Sequence, residues 1–159
     1  LFAGRLLLLQ ARRLREAKLP QHMAWRILGI GFCFLSLDEI VGLHETLNSV
    51  VDFSWTLPGA FVAALVGAIY IPFLRHLPLR TRVLFIISGA IYVGAAVGIE
   101  SATDVYADED LLDTLEYNLT TVLEEGLEMT GVILFIHAIL AHMAGGRNNE
   151  VTERTQIDP

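Results

Sequence analysis

Long apolar runs constrain this chain more than any other feature, because a helix needs ~20 mostly apolar residues to cross the hydrocarbon core of a bilayer. Four stretches reach or approach that length, at residues 23–45, 55–77, 83–100 and 121–143. Hydrophobic residues make up 53% of the chain and charged residues only 18%, which is less charged than an ordinary soluble domain. The sequence therefore predicts an all-α, polytopic transmembrane helical bundle and argues against a soluble globular enzyme.

The chain divides into three parts by composition. Residues 23–143 hold the four predicted spans, and residues 144–159 form a polar tail. In residues 1–22 a leucine-rich stretch precedes a basic one, which is the reverse of the order in a signal peptide. We interpret this first segment as the inner end of a preceding membrane helix followed by basic residues. A basic helix lying on the membrane surface is the alternative.

The polar tail has no apolar periodicity that would bury it against the bundle. A tail of this kind is disordered unless something holds it in place. We therefore expect the residues from Arg147 onward, Asn149 among them, to contact another protein chain.

The charges are sorted between the two sides of this topology. All 11 Lys and Arg residues lie at or before the start of the first span, between the second and third spans, or after the fourth. Basic loops stay in the cytoplasm, so the pattern predicts a protein of the cytoplasmic membrane with its acidic loops outside. An outer face this acidic requires protonation, bound cations or a basic partner, because like charges repel.

Several carboxylates are predicted to lie at membrane depth. The apolar run 24–37 covers only about 21 Å as a helix, so the helix must continue through Asp38 and Glu39 before it leaves a core of ~30 Å. The same count from the inner ends of the third and fourth spans places Glu100 and Glu128 at a similar depth. Ionisable groups inside a membrane are rare, and by default they indicate a functional site.

A divalent metal is one candidate occupant of this outer layer. The candidate ligands are Asp38, Glu39, His44, Glu45, Glu100, Glu125 and Glu128. Carboxylate-dominated sites suit Ca²⁺, Mg²⁺ or Mn²⁺, and one added imidazole admits iron or zinc. Cys33 is the only cysteine, which excludes both an internal disulfide and a cysteine-based zinc site.

Other interpretations of the same acids remain open. In one, the carboxylates extend to the outer membrane interface and have no function beyond being on the outer side. In another, they carry protons or cations across the membrane. The match to a di-iron helical bundle is partial, because Glu128 stands where the Glu-x-x-His motif begun by Glu125 needs a histidine. A membrane zinc hydrolase is disfavoured, since His44 is the one histidine on the outer side.

His137 lies inside the fourth span, about 13 Å deeper than Glu128, which is too far for the two to share a metal ion. It is a candidate for a hydrogen bond across the bundle, or for an axial ligand of a haem or pigment. His142 lies closer to the inner surface, where we expect it to be solvated. Trp25 and Trp55 lie near span ends, as the residues of an aromatic belt do.

Small residues recur at helical spacing in two of the spans. The two stripes are Ala90, Gly94 and Gly98 in the third span and Gly59, Ala63 and Gly67 in the second. Such stripes let helix backbones approach closely. We expect packing within the chain, and an interface between subunits at Gly94 and Gly98 is the alternative.

Short acidic motifs carry a resemblance to a known group of proteins. They are Leu37-Asp38-Glu39 with Leu43-His44-Glu45, Gly98-Ile99-Glu100, and Glu124-Glu125 with Glu128-Met129. These strings resemble those of uncharacterised multipass membrane proteins of bacteria, over most of the chain. The resemblance implies a helical membrane fold and a shared site, without an assigned activity.

Two functions follow from these patterns. The first is a non-catalytic accessory subunit of a larger membrane complex, for example one of the electron-transfer or light-harvesting type, with lipids and other membrane subunits as partners. The second is a metal-dependent membrane enzyme, with the outer carboxylates as ligands and His44 as a ligand or general base. Whether the chain is an enzyme stays open at this point, and nothing in the sequence indicates a nucleic-acid partner.

Overall fold

The computed structural model of the protein describes residues 1–42, 56–102 and 114–157. These residues are helical and contain no strand, which confirms the all-α fold class. The helices are α1 (Phe2–Glu16), α2 (His22–Val41), α3 (Thr56–His76), α4 (Leu79–Ala102) and α5 (Leu115–Ile157). Within α4, Gly94–Ile99 forms a π-helical segment.

Three helices, α3, α4 and α5, are long and apolar enough to cross a membrane. They correspond to the last three predicted spans, so the structure indicates association with a membrane. The first predicted span corresponds to α2, which carries Arg26, Asp38 and Glu39 among its 20 residues. Only residues 27–37 of α2 form a stretch without Asp, Glu, Lys or Arg, which is shorter than the uncharged stretches 83–99 of α4 and 129–146 of α5. A fourth span stays a prediction.

Helix α2 ends earlier than its predicted span. Gly42 follows its last residue, Val41, in a left-handed conformation with φ 63° and ψ 43°, and its N–H donates to the Asp38 carbonyl over 2.7 Å. Glycine reaches this conformation without a Cβ penalty and commonly ends helices. The predicted continuation of this helix from Asp38 to Glu45 lies outside the described residues beyond Gly42.

Helix α5 extends beyond the predicted fourth span at both ends. It begins at Leu115, where the Thr114 hydroxyl accepts a hydrogen bond from the Tyr117 N–H over 3.3 Å. A threonine hydroxyl at this position satisfies one of the N–H groups that a helix start leaves free. At the other end the helix continues through Gly145 and Gly146 to Ile157, so most of the polar tail is helical.

Helices α1 and α2 form an antiparallel hairpin. In this hairpin Gly4 lies against the middle of α2. A Cβ on Gly4 would lie 2.7 Å from Cys33 Sγ and 3.0 Å from the Gly29 carbonyl oxygen. Only glycine allows the two backbones to approach this closely.

Helices α4 and α5 cross closely at Gly131. A Cβ there would lie 2.9 Å from the carbonyl oxygen of Ser88 and 3.0 Å from Cβ of Tyr92. Thr81, Phe85 and Ser88 form the buried face of α4. Their spacing is that of one helix face, so α4 meets α5 along this stripe.

The core lies where four helices meet around Trp25, whose side chain is only 1% exposed. Its ring centroid lies 5.3 Å from that of Phe73 in α3, 5.9 Å from Phe85 in α4 and 5.2 Å from His142 in α5. We call these four residues the Trp25 junction. The assignment of Trp25 to an aromatic belt was wrong, because the indole is enclosed by other helices. His142, expected to be solvated, is half-buried: one face of its ring is stacked on the indole, and the residue also lines a groove.

Candidate functional site

The Trp25 junction brings the predicted basic segments together at one end of the bundle. Arg26 follows Trp25, Arg75 follows Phe73, and Arg80 and Arg82 precede Phe85. We call this the basic end. Its assembly agrees with the charge sorting read from the sequence, although the structure itself does not show which side of a membrane it faces.

Arg5 is an exception to the sorting by charge. It is exposed and follows Gly4, which lies against Gly29 and Cys33 near the middle of α2. Along α1 it lies about 16 Å from Glu16, at the helix end that joins the basic end. The expectation that every basic residue lies at one end was therefore wrong for Arg5, because α1 folds back along α2.

The acidic candidates lie towards the opposite end, on three different helices. Asp38 in α2, Glu100 in α4, and Glu124 and Glu128 in α5 are half-buried, whereas Glu125 is exposed. Among the described side chains, no three His, Cys, Asp or Glu residues form a group that would hold a metal ion. His44 and Glu45 lie outside the described residues, as does the side chain of Glu39, so the metal site stays a prediction.

His137 projects outward from α5. It is exposed, and it forms no hydrogen bond within the part of the chain that the structure describes. On the same face, one turn to either side, Ile133 is 67% exposed and Leu140 is 46% exposed. A hydrogen bond from His137 across this bundle was thus a wrong expectation for the described residues, while a role as a cofactor ligand stays a prediction.

Three glycines of the predicted small-residue stripes are not themselves points of close helix contact. A Cβ at Gly67, Gly94 or Gly98 would meet no described atom within 4 Å. Gly94 and Gly98 belong to the π-helical segment, whose Ala95 and Ala96 are buried instead. Packing of the stripes within the chain and the alternative of an interface between subunits at Gly94 and Gly98 both stay predictions.

Helix α3 is mostly exposed, although Thr56 at its start is 3% exposed and the helix contacts the π-helical segment of α4. Of the residues in its most apolar stretch, only 6% are buried inside the protein, against 22% in the corresponding stretches of α4 and α5. Phe73 and Tyr70 hold its last turns, the latter through a hydrogen bond of 3.0 Å from its hydroxyl to the Ala24 carbonyl. Closer to its start, Leu57 is 67% exposed and Phe61 is 70% exposed.

A groove at the basic end has no counterpart among the sequence predictions. It lies between the first turns of α4 and the part of α5 near His142, and has a volume of about 360 Å³. Thr81 lines it, with Oγ1 3.3 Å from His142 Nδ1. A sequence signal for this contact existed, because Thr81 and Ser88 are polar residues on one face of an otherwise apolar helix.

The remaining candidates lie in the last part of α5. Arg147 and Asn149 belong to its helical backbone, and their side chains lie outside the described residues. The predicted contact with another chain at these residues is therefore untested.

Comparison with known proteins gives one match, which covers residues 2–143. It is to a family described as Domain of unknown function (DUF8692). The chain belongs to this family. The match agrees with the resemblance to uncharacterised proteins, whereas their bacterial origin and the shared acidic motifs stay predictions. No curated protein and no solved structure is similar enough to count as a match.

Proposed function

We propose that this member of the DUF8692 family is a non-catalytic subunit of a larger membrane complex. The sorting of basic residues supports the cytoplasmic membrane as its location, with the basic end inside. The proposal rests chiefly on His137. The exposed apolar side chains of α3 and the glycines Gly67, Gly94 and Gly98 give further support.

An outward histidine in the middle of an apolar span needs a polar partner. His137 lies about 13 Å along α5 from both Glu128 and Gly146, which places it far from either end of the apolar segment. Ionisable residues inside membranes usually face the interior of a bundle, because burying a polar group without a hydrogen bond in hydrocarbon is costly. In a complex, a neighbouring helix or a cofactor of the assembly would supply the missing partner.

The three glycines support the same proposal. Small residues are enriched where membrane helices approach each other, since they permit close backbone contact. Gly67, Gly94 and Gly98 have that composition without a neighbour in the described part of the chain. We expect another subunit at these positions, because a helix can pack closely against the exposed backbone of a glycine, whereas fluid lipid chains make fewer such contacts.

The mass of the particle extracted from its native membrane in a mild detergent tests the proposal. We expect a mass well above that of one 17.6-kDa chain and its micelle, with other proteins present in a fixed ratio. A particle containing this chain alone would contradict the proposal.

A matched pair of histidine variants locates the contact. His137→Leu should leave the chain folded, because the side chain is exposed, but should release it from the complex. His76→Leu is the control, because that histidine is exposed at the end of α3 and its Nδ1 already lies 2.6 Å from the Pro72 carbonyl. Equal retention of both variants in the complex would remove His137 from the interface.

A metal-dependent enzyme is the second candidate. Four carboxylates on three helices, away from the basic end, are half-buried. This favours a metal site over the alternative that these acids are only solvated residues of the outer surface. Buried carboxylates that hold a cation require it for stability and retain it during purification. Elemental analysis of protein purified without chelator is the test, and less than about a tenth of an equivalent of any divalent metal would exclude this function.

A further inference from the structure

The groove between α4 and α5 changes from polar to apolar along its length. Arg80 and Thr81 line its mouth, whereas Leu84 and Ala138 line its inner part. On α5 the lining extends from Ala138 to Gly146, a distance of about 12 Å along the helix axis. A ligand that fills the groove must therefore have a polar end near the basic end of the bundle and an apolar part pointing along the spans.

The mouth of the groove favours an anion. Pro78 precedes α4 and no side chain caps this helix start, so the first N–H groups, from Leu79 to Thr81, have no partner within the helix. The helix dipole adds positive potential at the same place. Arg80 is exposed beside these N–H groups and has no ion pair among the described residues. Arg82, two residues after Arg80, is placed by the helix about 200° away and does not line the groove, so Arg80 is the arginine at the mouth.

The polar wall of the groove is held in position by the core. His142 is stacked on Trp25 at 5.2 Å between ring centroids and an interplanar angle of 24°. Its Nδ1 lies 3.3 Å from Thr81 Oγ1, and Thr81 is itself only 6% exposed. Thr81 and His142 are therefore fixed in position, whereas Arg80 is an exposed side chain beside them.

We propose that this groove binds an anionic phospholipid, with the phosphate at Arg80 and the N-terminus of α4 and an acyl chain along Leu84 and Ala138. Basic pockets at the ends of membrane helices recognise anionic headgroups in this way. A free phosphate ion would use only the mouth and leave the apolar wall uncovered. The proposal is independent of the subunit proposal, because it concerns only this chain and lipid.

Native mass spectrometry of the purified full chain tests the proposal, with phosphatidylglycerol or phosphatidylcholine added in detergent. We expect one phosphatidylglycerol to be retained in preference to phosphatidylcholine. Arg80→Gln should lower that retention about fivefold, as expected for one arginine beside an anionic headgroup. Arg75→Gln is the matched control, because Arg75 is exposed in the last turn of α3 and lies outside the groove.

A second variant fills the groove without removing a charge. Gly145→Leu places a leucine in the lining at a position where a Cβ meets no described atom within 4 Å, so the chain should fold normally. We expect it to lose the bound phosphatidylglycerol while its thermal unfolding in lipid-free detergent is unchanged.

Three results would overturn the proposal. The first is equal retention of the two lipids. The second is an equal loss with Arg80→Gln and Arg75→Gln, which would indicate a diffuse basic surface. The third is displacement of the lipid by millimolar inorganic phosphate, which would indicate a site for the free ion.

Discussion

The Trp25 junction and the first turns of α3 belong to one apolar bundle but are built in opposite ways. At the junction the indole is enclosed by rings from three other helices and is 1% exposed. In α3, before Tyr70, Phe61 is 70% exposed and Ile69 is 64% exposed. In a soluble protein such residues would be buried in the core, whereas here apolarity does not distinguish the core from a surface that meets lipid or another subunit.

The difference teaches what holds a bundle of this type together. Lipid chains are as apolar as leucine, so the bundle gains its cohesion from close packing and from hydrogen bonds rather than from removal of apolar surface from water. The junction has close ring packing, and next to it the Tyr70 hydroxyl donates a hydrogen bond to the Ala24 carbonyl. In the first turns of α3 most side chains are apolar and exposed, as they are on a surface that contacts lipid.

Trp25→Ala is expected to destabilise the protein more than the other variants and so tests the role of the junction most directly. The variant leaves a cavity between four helices, and truncation of a buried aromatic residue costs about 3–5 kcal/mol. We expect a large fall in the midpoint of thermal unfolding in detergent. Met23→Ala, two residues earlier and 48% exposed, is the control and should have little effect. Similar unfolding midpoints for the two variants would contradict the role of the junction.

A pair of glycine variants should give the next largest difference. Gly131→Leu forces a side chain against the Ser88 backbone, where even a Cβ would lie at 2.9 Å, and overpacking of this kind costs about 1–3 kcal/mol. Gly67→Leu meets no described atom within 4 Å and should leave the isolated chain as stable as before. Circular dichroism melts of both variants check this, and destabilisation by Gly67→Leu would show that α3 is covered within the chain.

Tyr70→Phe is expected to have the smallest effect. It removes the hydroxyl that donates to the Ala24 carbonyl over 3.0 Å and keeps the ring against Phe73. The loss of one hydrogen bond costs about 0.5–1.5 kcal/mol, although the backbone carbonyl retains its helical partner. A shift of the unfolding midpoint smaller than that of Gly131→Leu agrees with this account. A shift as large as that of Trp25→Ala would mean that the hydrogen bond, rather than ring packing, holds α3.

The helices themselves were largely predictable, because span length and apolar composition are local properties. Gly42 could also have been identified as a helix end, because glycine is common at that position. The contacts were not predictable from these patterns. A glycine permits a close approach without specifying its partner, so Gly4, Gly29 and Gly131 were missed while Gly94 and Gly98 were preferred.

In the candidate site, too, the placement of charges was predictable from the sequence and the contacts between helices were not. Arg26, Arg75 and Arg80 were assigned to one end by charge alone, since topology fixes where loops meet. The groove was not predicted, because it depends on how α4 and α5 diverge beyond their closest approach at Gly131. Thr81 and His142 come from helices far apart in sequence, and only the packing around Trp25 brings them together.

The π-helical segment Gly94–Ile99 sets the rotational phase of everything that follows it in α4. A π turn accommodates one residue more than an α turn, which rotates later side chains by about 100° relative to an uninterrupted α-helix. Glu100 follows the segment directly, so its direction around the helix axis depends on that extra residue. Deletion of one residue from this segment would leave α4 equally apolar and almost equally long. It would also turn Glu100 away from its present neighbours while Phe85 stays in the junction.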